Sequence, residues 1–386
     1  MVSKSSFSLT DWLETHWTTP AFSGWLLAVL ALCFFGAATN TMAGWLYVLS
    51  GTILALLVLG AVLSLRSLSQ IQVRRHPINP VSAGDDLTIE LIIENGSKSP
   101  KTLLQLWDLI PIVMEKPQNT AIEAIAPQGE DHWTYYLKTQ QRGVYHWHEV
   151  QLRSGSPLGL FWCRRSQEVP AKAVVYPQIL PLNSCPIVDT IGQEENEQRQ
   201  SDRSFKSAQE GVTKALRPYR YGDPMRMIHW RTSAKYDEFQ VRELEVITGG
   251  EDIIICLDSS YLWREDNFEQ AVIAAASLYF YASRAQLNVK LWTAKTGVIH
   301  GNRMVLETLA AVSKEEEQQD HSLPNLPLIW ITENFASLDS LPPGSRWLLF
   351  PQQPGKIPAF FAQKLTGLVM NAEQPLQPQL QKIPQG

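Results

Sequence analysis

A chain of 386 residues, 45% of them apolar, is long enough for two or three units with sizeable cores. Its formal net charge of −5 argues against a nucleic-acid coat. The four cysteines, Cys33, Cys163, Cys185 and Cys256, fit neither a zinc nor a CxxC spacing and predict free thiols in a reducing compartment.

A short segment, residues 1–20, precedes a stretch in which no charged residue occurs from Trp17 to Leu65. Two apolar runs, AFSGWLLAVLALCFFGAA and GWLYVLSGTILALLVLGAVLSL, are separated there only by the polar turn TNTM. A helix needs roughly 20 such residues to cross the hydrocarbon core, and the turn allows only a tight antiparallel hairpin, placed at 21–65. Trp12, Trp17, Trp25, Trp45 and Tyr47 fall where aromatic belts sit. Asp11 and Glu14 in the leading segment argue against a cleaved signal peptide. Lys4 before the hairpin and Arg66, Arg74 and Arg75 after it predict a multi-pass protein of the plasma (inner) membrane with both termini in the cytoplasm.

From about residue 70 to 180 the hydrophobic pattern has period two, broken at Asn95-Gly96, Arg142-Gly143 and Gly155-Ser156-Pro157. Short β-rich runs at this spacing predict an antiparallel β-sandwich. His132, His146 and His148 read as exposed strand residues, because two imidazoles without a third ligand make a weak metal site.

The stretch assigned to 181–210 contains DTIGQEENEQRQSDRSFKSAQEG, which reads as a polar, acidic linker. At 211–248 comes a cationic, aromatic segment, LRPYRYGDPMRMIHWRTSAK. Asp223 stands where a helix N-cap belongs and Pro224 at the first helical position. Met227, Trp230 and Ala234 would then share one apolar face, with Ile228 beside them and Arg226 and Lys235 pointing elsewhere. From 249 to 371 the pattern is α/β. DIIICLD, NVKLWTA, LPLIWIT and RWLLFP read as buried strands, and NFEQAVIAAASLYFYASRA, RMVLETLAAVSKEEEQQ and IPAFFAQKLTGLVM as helices, which predicts an open parallel sheet. The Gln- and Pro-rich residues 372–386 read as a disordered tail.

Open parallel sheets bind ligands beyond the carboxyl ends of their strands. Asp258, Ser259 and Ser260 end the first strand, and Thr332 and Glu333 end another at the same edge. A carboxylate and hydroxyls there supply hard oxygen donors of the kind Mg2+ or Ca2+ takes, although such residues also cap helices and turns for local reasons. Asp258, Glu333, His229 and Asp223 are the polar groups a hydrolase would use, but no nucleophile–base spacing or phosphate-binding glycine loop accompanies them.

The run Arg217, Tyr219, Gly222-Asp223, Arg226, Ile228, Trp230 and Ser233-Ala234 resembles the signature of the bacterial and archaeal "domain of unknown function 58" family. The two amino-terminal spans, QRGVYHWHEVQLRSGSPLGLF, a VVYP strand and the strand ending in Asp258 follow that family's order over nearly the whole chain. The resemblance implies that the last region is an abridged von Willebrand factor A-like domain. It also implies partners, since members are commonly encoded beside MoxR-type AAA+ ATPases and transglutaminase-like membrane proteins. The adhesion-type metal site of such domains reads Asp-x-Ser-x-Ser. Asp258 and Ser260 match it, Leu262 stands in the last serine's place, and Glu333 replaces the Asp usual after Thr332. Ser156 stands where the family often has Asp. The resemblance therefore implies a degenerate Mg2+ or Ca2+ site at Asp258, Ser260, Thr332 and Glu333. The expected function is a membrane-anchored, cytoplasm-facing binding or assembly protein that is not an enzyme and binds no nucleic acid. A membrane-tethered metal-dependent hydrolase is the alternative, and a nucleic-acid-binding protein a more distant one.

Overall fold

The uncharged stretch forms two helices in the computed structural model, which describes residues 14, 17–191, 212–220, 228–236, 238–245, 252–317, 326–352, 366–371 and 373–383. A two-residue strand, β1 (Thr19–Pro20), leads into α1 (Phe22–Thr41), and α2 (Gly44–Ser67) follows. Both helices are long and apolar enough to cross a membrane. The buried positions of α1, Gly24, Ala31 and Ala38, are small and spaced by seven, and those of α2 are Leu46, Ser50, Leu57, Gly60 and Ser64. Ser50, buried in α2, donates its hydroxyl to the Ala31 carbonyl at 2.9 Å, a bond that satisfies a polar group between apolar helices. Most remaining side chains, among them Leu26, Val29, Leu32, Trp45, Val48 and Val58, point outward and are covered by no described residue.

The chain divides into two units, Met1–Tyr176 and Pro177–Gly386. In the first, β2 (Ile71–Arg75), β3 (Val81–Ser82), β4 (Asp86–Asn95), β5 (Lys101–Asp108), β6 (Gln118–Ile125), β7 (Glu130–Lys138), β8 (Gly143–Ser154) and β9 (Phe161–Tyr176) follow the hairpin. One antiparallel sheet has the order β2-β4-β7; the other runs β1-β9-β8-β5-β6, with β3 added on β9. Strand alternation decides what lies between them. Leu87, Ile89, Leu91 and Ile93 of β4 share one core with Leu104, Leu106, Val150 and Leu152 of the other sheet, so the β-sandwich expected from the period-two pattern is present. His146 and His148 are exposed on either side of buried Trp147.

One polar cluster sits inside that core. Asp108 of β5 is fully buried and takes a two-pronged contact from Arg75 of β2, at 2.5 and 2.9 Å. Tyr135 of β7 donates to the same carboxylate at 2.6 Å and the Trp147 indole of β8 at 2.9 Å. The guanidinium also lies 5.1 Å from the centre of the Trp147 ring. Four strands from both sheets therefore meet on one carboxylate. Burial, and then the Asp108 charge beside it, push the Tyr135 hydroxyl well above its ordinary value, so it remains a donor.

In the second unit, α3 (Pro186–Asp189) comes first, then a hairpin of β10 (Val212–Pro218) and β11 (Gln240–Glu245) with α4 (Trp230–Tyr236) between its strands. Next are β12 (Asp252–Leu257), α5 (Glu265–Arg284), β13 (Asn288–Thr293), β14 (Gly297–Ile299), α6 (Asn302–Ala311), β15 (Leu328–Thr332), a 3-10 turn (Phe335–Ser340), β16 (Arg346–Leu349), β17 (Gly367–Val369) and α7 (Leu376–Leu380). The sheet order is β14-β13-β12-β15-β16-β17, parallel except for the β13–β14 pair. Ala271, Ala274, Ala275 and Leu278 of α5 pack with Ile253, Ile255 and Leu257 of β12, and alanines there let the helix approach the sheet closely. Ile254, Cys256, Trp292, Trp330 and Trp347 build the core of the other face.

Three boundaries differ from the sequence reading. Residues 181–191, assigned to the linker, are packed: Leu182, Cys185, Ile187, Val188 and Ile191 belong to the α/β core. Of the expected last helix, 357–370, the part that is described ends in a strand, β17, where Leu368 continues the sheet beside Leu348; residues 357–365 of that stretch lie outside the described residues. The tail is ordered over 373–383, where Leu380 is buried and the Gln379 side chain bonds Asn371, Gln374 and Pro375. The remainder of the acidic stretch, 192–211, also lies outside the described residues.

Removing one partner of a buried ion pair strands the other charge, at a cost of about 3–5 kcal/mol. Asp108→Ala is therefore expected to lower the sandwich's stability by about that amount in chemical denaturation. Arg74→Ala, which breaks the largely exposed pair with Glu94 at 3.2 Å, should change it by less than about 1 kcal/mol.

Candidate functional site

Two places in the second unit gather side chains beyond what packing needs. The first is the carboxyl edge of the parallel sheet. The chain leaves β12, forms β13 on one side, and returns to place β15 on the other, so β12 and β15 flank the point where strand order reverses. Asp258 directly follows β12 and Thr332 ends β15. The Thr332 hydroxyl donates to Asp258 Oδ2 at 2.8 Å and the Ser260 hydroxyl to Asp258 Oδ1 at 3.0 Å. Ser259 turns inward, its hydroxyl accepting from the Ala294 amide at 3.0 Å, and the Trp263 indole donates to the Asp258 carbonyl at 2.6 Å. Asp258 is only 5% exposed. Burial raises its pKa above the ordinary value of 3.8, while the Thr332 and Ser260 hydrogen bonds pull the other way.

Three of the four residues expected to ligate a cation thus converge. Glu333 departs from that expectation. Its two carboxylate oxygens accept from the Arg264 amide at 2.9 Å and the Asn267 side chain at 2.8 Å, so it caps the start of α5. Leu262, 62% exposed, offers no donor where a third hydroxyl would stand. Asp258, Ser260 and Thr332 supply one carboxylate and two hydroxyls, and Mg2+ held by them would complete its six oxygen ligands with water. Among the described residues no group of three or more His, Cys, Asp or Glu side chains is arranged to hold a metal. His229 is engaged locally, its Nδ1 accepting from the Thr232 amide at 3.2 Å and lying 2.7 Å from the Thr232 hydroxyl.

The second place is the β10–β11 hairpin with α4. Gly222, Asp223 and Arg226 of the segment lie outside the described residues. The expected helix is shorter than the pattern suggested: Ile228 bridges to Val241 in extended conformation, and α4 begins only at Trp230. Ser233 is its inward-facing residue, donating to the His229 carbonyl at 3.1 Å and accepting from the Gln240 amide at 2.9 Å. That bond ties α4 to the start of β11 and turns Trp230 outward. Trp230 is 59% exposed, which corrects the expectation of a buried apolar stripe through Trp230 and Ala234. Its ring meets Phe239, itself 54% exposed, edge-on at 6.1 Å, and Tyr219 meets Phe239 at 6.2 Å. Pro218, Tyr219, Trp230, Ala234, Glu238 and Phe239 surround an open recess of about 660 Å³. Arg217 precedes the recess, its guanidinium 3.3 Å from the Pro218 carbonyl. Pro218, Glu238 and Phe239 escaped the sequence reading, since an aromatic preceding a strand carries no distinctive spacing.

No family model matches the chain. It is 24% identical over 269 residues to the "Uncharacterized protein YeaD" of Bacillus subtilis, which covers 66% of this chain and 64% of that protein, less than two thirds of its length. Solved structures resemble it only weakly. The CARDB domain of the PF1109 protein from Pyrococcus furiosus, in complex with di-metal ions, has a TM-score of 0.20 at 12% identity and covers 27% of this chain and 93% of that one. The alkylpurine DNA glycosylase AlkC of Pseudomonas fluorescens has a TM-score of 0.19 at 8% identity, covering 39% of this chain and 45% of that one.

Because burial raises the pKa of Asp258, the folded unit holds its proton more tightly than the unfolded chain does. The stability this contributes is full below 3.8 and is lost as pH rises through the higher folded value. Denaturation midpoints across that range should fall with pH for the natural chain, and Asp258→Asn should flatten the slope.

Proposed function

We infer that this chain is a membrane-anchored binding or assembly protein with its folded units on the cytoplasmic side of a plasma (inner) membrane. Its partner, in this reading, is another protein. The single observation that carries the reading is the exposed aromatic cluster of Tyr219, Trp230 and Phe239 around an open recess. Exposed aromatics next to arginine are the composition of binding hot spots, and these side chains do little for the core they sit on. The family resemblance names a MoxR-type AAA+ ATPase as the first candidate and a transglutaminase-like membrane protein as the second. Strand order 3-2-1-4-5-6, counted within the sheet, and an Asp after its first strand support reading the α/β unit as an abridged von Willebrand A-like domain. Mg2+ or Ca2+ would be held there by Asp258, Ser260 and Thr332, weakly, because Leu262 and Glu333 give no further ligand.

The membrane side of the reading rests on the basic flank Arg66, Arg74 and Arg75. Cysteines introduced at Ser5 and Gln70 should both resist a membrane-impermeant thiol reagent in intact cells and react after lysis. Labelling of intact cells at either position would reverse the assignment.

Trp230→Ala separates docking from folding. An exposed ring contributes little to the fold, so the melting curve should move by no more than about 0.5 kcal/mol equivalent. Capture of a purified MoxR-type ATPase by the full-length protein should fall several-fold. Unchanged capture by the variant, or no capture by the natural chain, would remove the support for this partner and this surface.

A further inference from the structure

The end of the sandwich nearest the helical hairpin is built differently from the rest. There β1 pairs with the beginning of β9, Thr19 opposite Trp162 and Pro20 opposite Phe161. The β8–β9 turn, residues 155–160, reaches past this pairing to lie against both helices. Leu160 and Phe161 side chains cover the bare face of Gly60 in α2, and the Leu160 carbonyl approaches Gly24 of α1 so closely that any side chain there would collide with it.

We propose that the β8–β9 turn, with Leu158 at its tip and Leu103 beside it, is inserted into the lipid bilayer as a third, non-helical membrane contact. This rests on α1 and α2 spanning the membrane as read above. The depth follows from helix geometry. The 24 residues of α2 extend about 36 Å, roughly 6 Å more than the ~30 Å hydrocarbon core. Gly60 lies seven residues before Ser67, about 10 Å along the axis. Even if all the excess length lies at this end, Gly60 is ~4 Å inside the hydrocarbon, and the turn packs at its level.

Irregular backbone survives at such depth only where protein supplies its hydrogen bonds. Here it does. The Leu160 carbonyl accepts from the Ala21 amide at 2.8 Å, Gly159 from the Ser23 hydroxyl at 2.9 Å, and Ser156 from the Ser64 hydroxyl at 3.2 Å. The Gly155 carbonyl accepts from the Gly159 amide at 2.8 Å. With these four carbonyls bonded, the turn presents Leu158, 46% exposed. Leu103, 51% exposed, is passed over in the β5–β6 ladder, which keeps its register on either side, and has φ of 54°, a region L-residues avoid. Thr102 Oγ1 and Ser156 Oγ lie 2.9 Å apart, which puts the residue before Leu103 next to the turn. Two outward leucines at the end that faces the membrane have a solvent that suits them: lipid.

Nitroxide labels on the full-length protein in phosphatidylcholine vesicles test this. A Cys33→Ala background leaves only the buried thiols of Cys163, Cys185 and Cys256. Single variants Leu158→Cys, Leu103→Cys, Leu54→Cys within α2 and Ile112→Cys in the β5–β6 loop are compared by collision with oxygen, which concentrates in lipid, and with a water-soluble nickel chelate. Labels at 158 and 103 should favour oxygen, as at 54, and meet nickel several-fold less often than the label at 112. If the label at 54 reads lipid while that at 158 meets nickel as freely as 112, the turn is in water and the inference is wrong. Loss of both collisions at 158 would mean protein covers it, which also overturns the inference. A label at 54 that reads water would instead remove the spanning reading on which the inference stands.

Discussion

Two residues ahead of the first helix pair with two residues of the eighth strand to follow it, and this short ladder constrains everything else in the first unit. Because Thr19 and Pro20 precede α1 while Trp162 and Phe161 belong to the sandwich, the chain must leave and return at the same end of the hairpin. Whatever lies at the far end, around Met42 and Ala43, is only a turn. Glu14 reinforces the closure. Buried near β8 and β9, it lies 3.4 Å from Arg164 and 2.5 Å from Arg153 Nε, a contact off the hydrogen-bonding direction and so ionic in character. Lys101 adds another tie, its buried ammonium donating at 3.3 Å to the Arg66 carbonyl near the end of α2, where a positive charge complements the helix dipole. Burial lowers the pKa of this amine, a cost that the carbonyl contact partly offsets.

A hairpin clamped in this way needs a rigid body to be clamped to, and the Asp108 cluster supplies it. Hydrophobic sheets slide and repack with small penalties, since apolar contacts have little direction. A buried carboxylate held by Arg75, Tyr135 and Trp147 has direction, because each donor must reach its own lone pair. The pair brings no large gain in stability over an apolar core; its effect is to penalise every alternative register of β2, β5, β7 and β8. We therefore read the cluster as the element that fixes how the two sheets face each other.

Much of this was legible in the residues. The uncharged stretch announced the hairpin, alternation announced the sandwich strands, and DIIICLD announced the central strand of the α/β sheet with Asp258 at its end. Two of the errors share a cause. Residues 181–191 and 373–383 have neither period two nor period 3.6, and they obtain their order from each other: the Gln377 side chain donates to the Pro181 carbonyl at 2.6 Å, and the Cys185 thiol lies 3.6 Å from the Leu380 carbonyl. A pairing between segments almost two hundred residues apart leaves no local pattern. Trp230 failed for a different reason. Its helical neighbours suggested a buried stripe, but α4 is a single short helix of seven residues whose orientation is set by Ser233 and Gln240, a polar contact that hydrophobic periodicity does not register.

The strand-edge cluster shows what happens when a site's donors turn to one another. Both oxygens of Asp258 accept hydrogen bonds from the Ser260 and Thr332 hydroxyls, and both oxygens of Glu333 hold the start of α5. Each carboxylate thereby locks a strand end or a helix end through hydrogen bonds. A site that needed a cation for its order would leave those oxygens facing one another unsatisfied, and their repulsion would loosen β12 from β15. Here each of those oxygens has a protein hydrogen-bond donor. The surface around it is pre-organised, and exposed Leu262 stands on it where an ion-binding hydroxyl would have been. An apolar side chain at that position favours contact with a protein surface over contact with a hydrated ion. The edge and the aromatic recess of the second unit each place an exposed apolar side chain, Leu262 in one and Trp230 in the other, beside hydrogen-bonded polar groups.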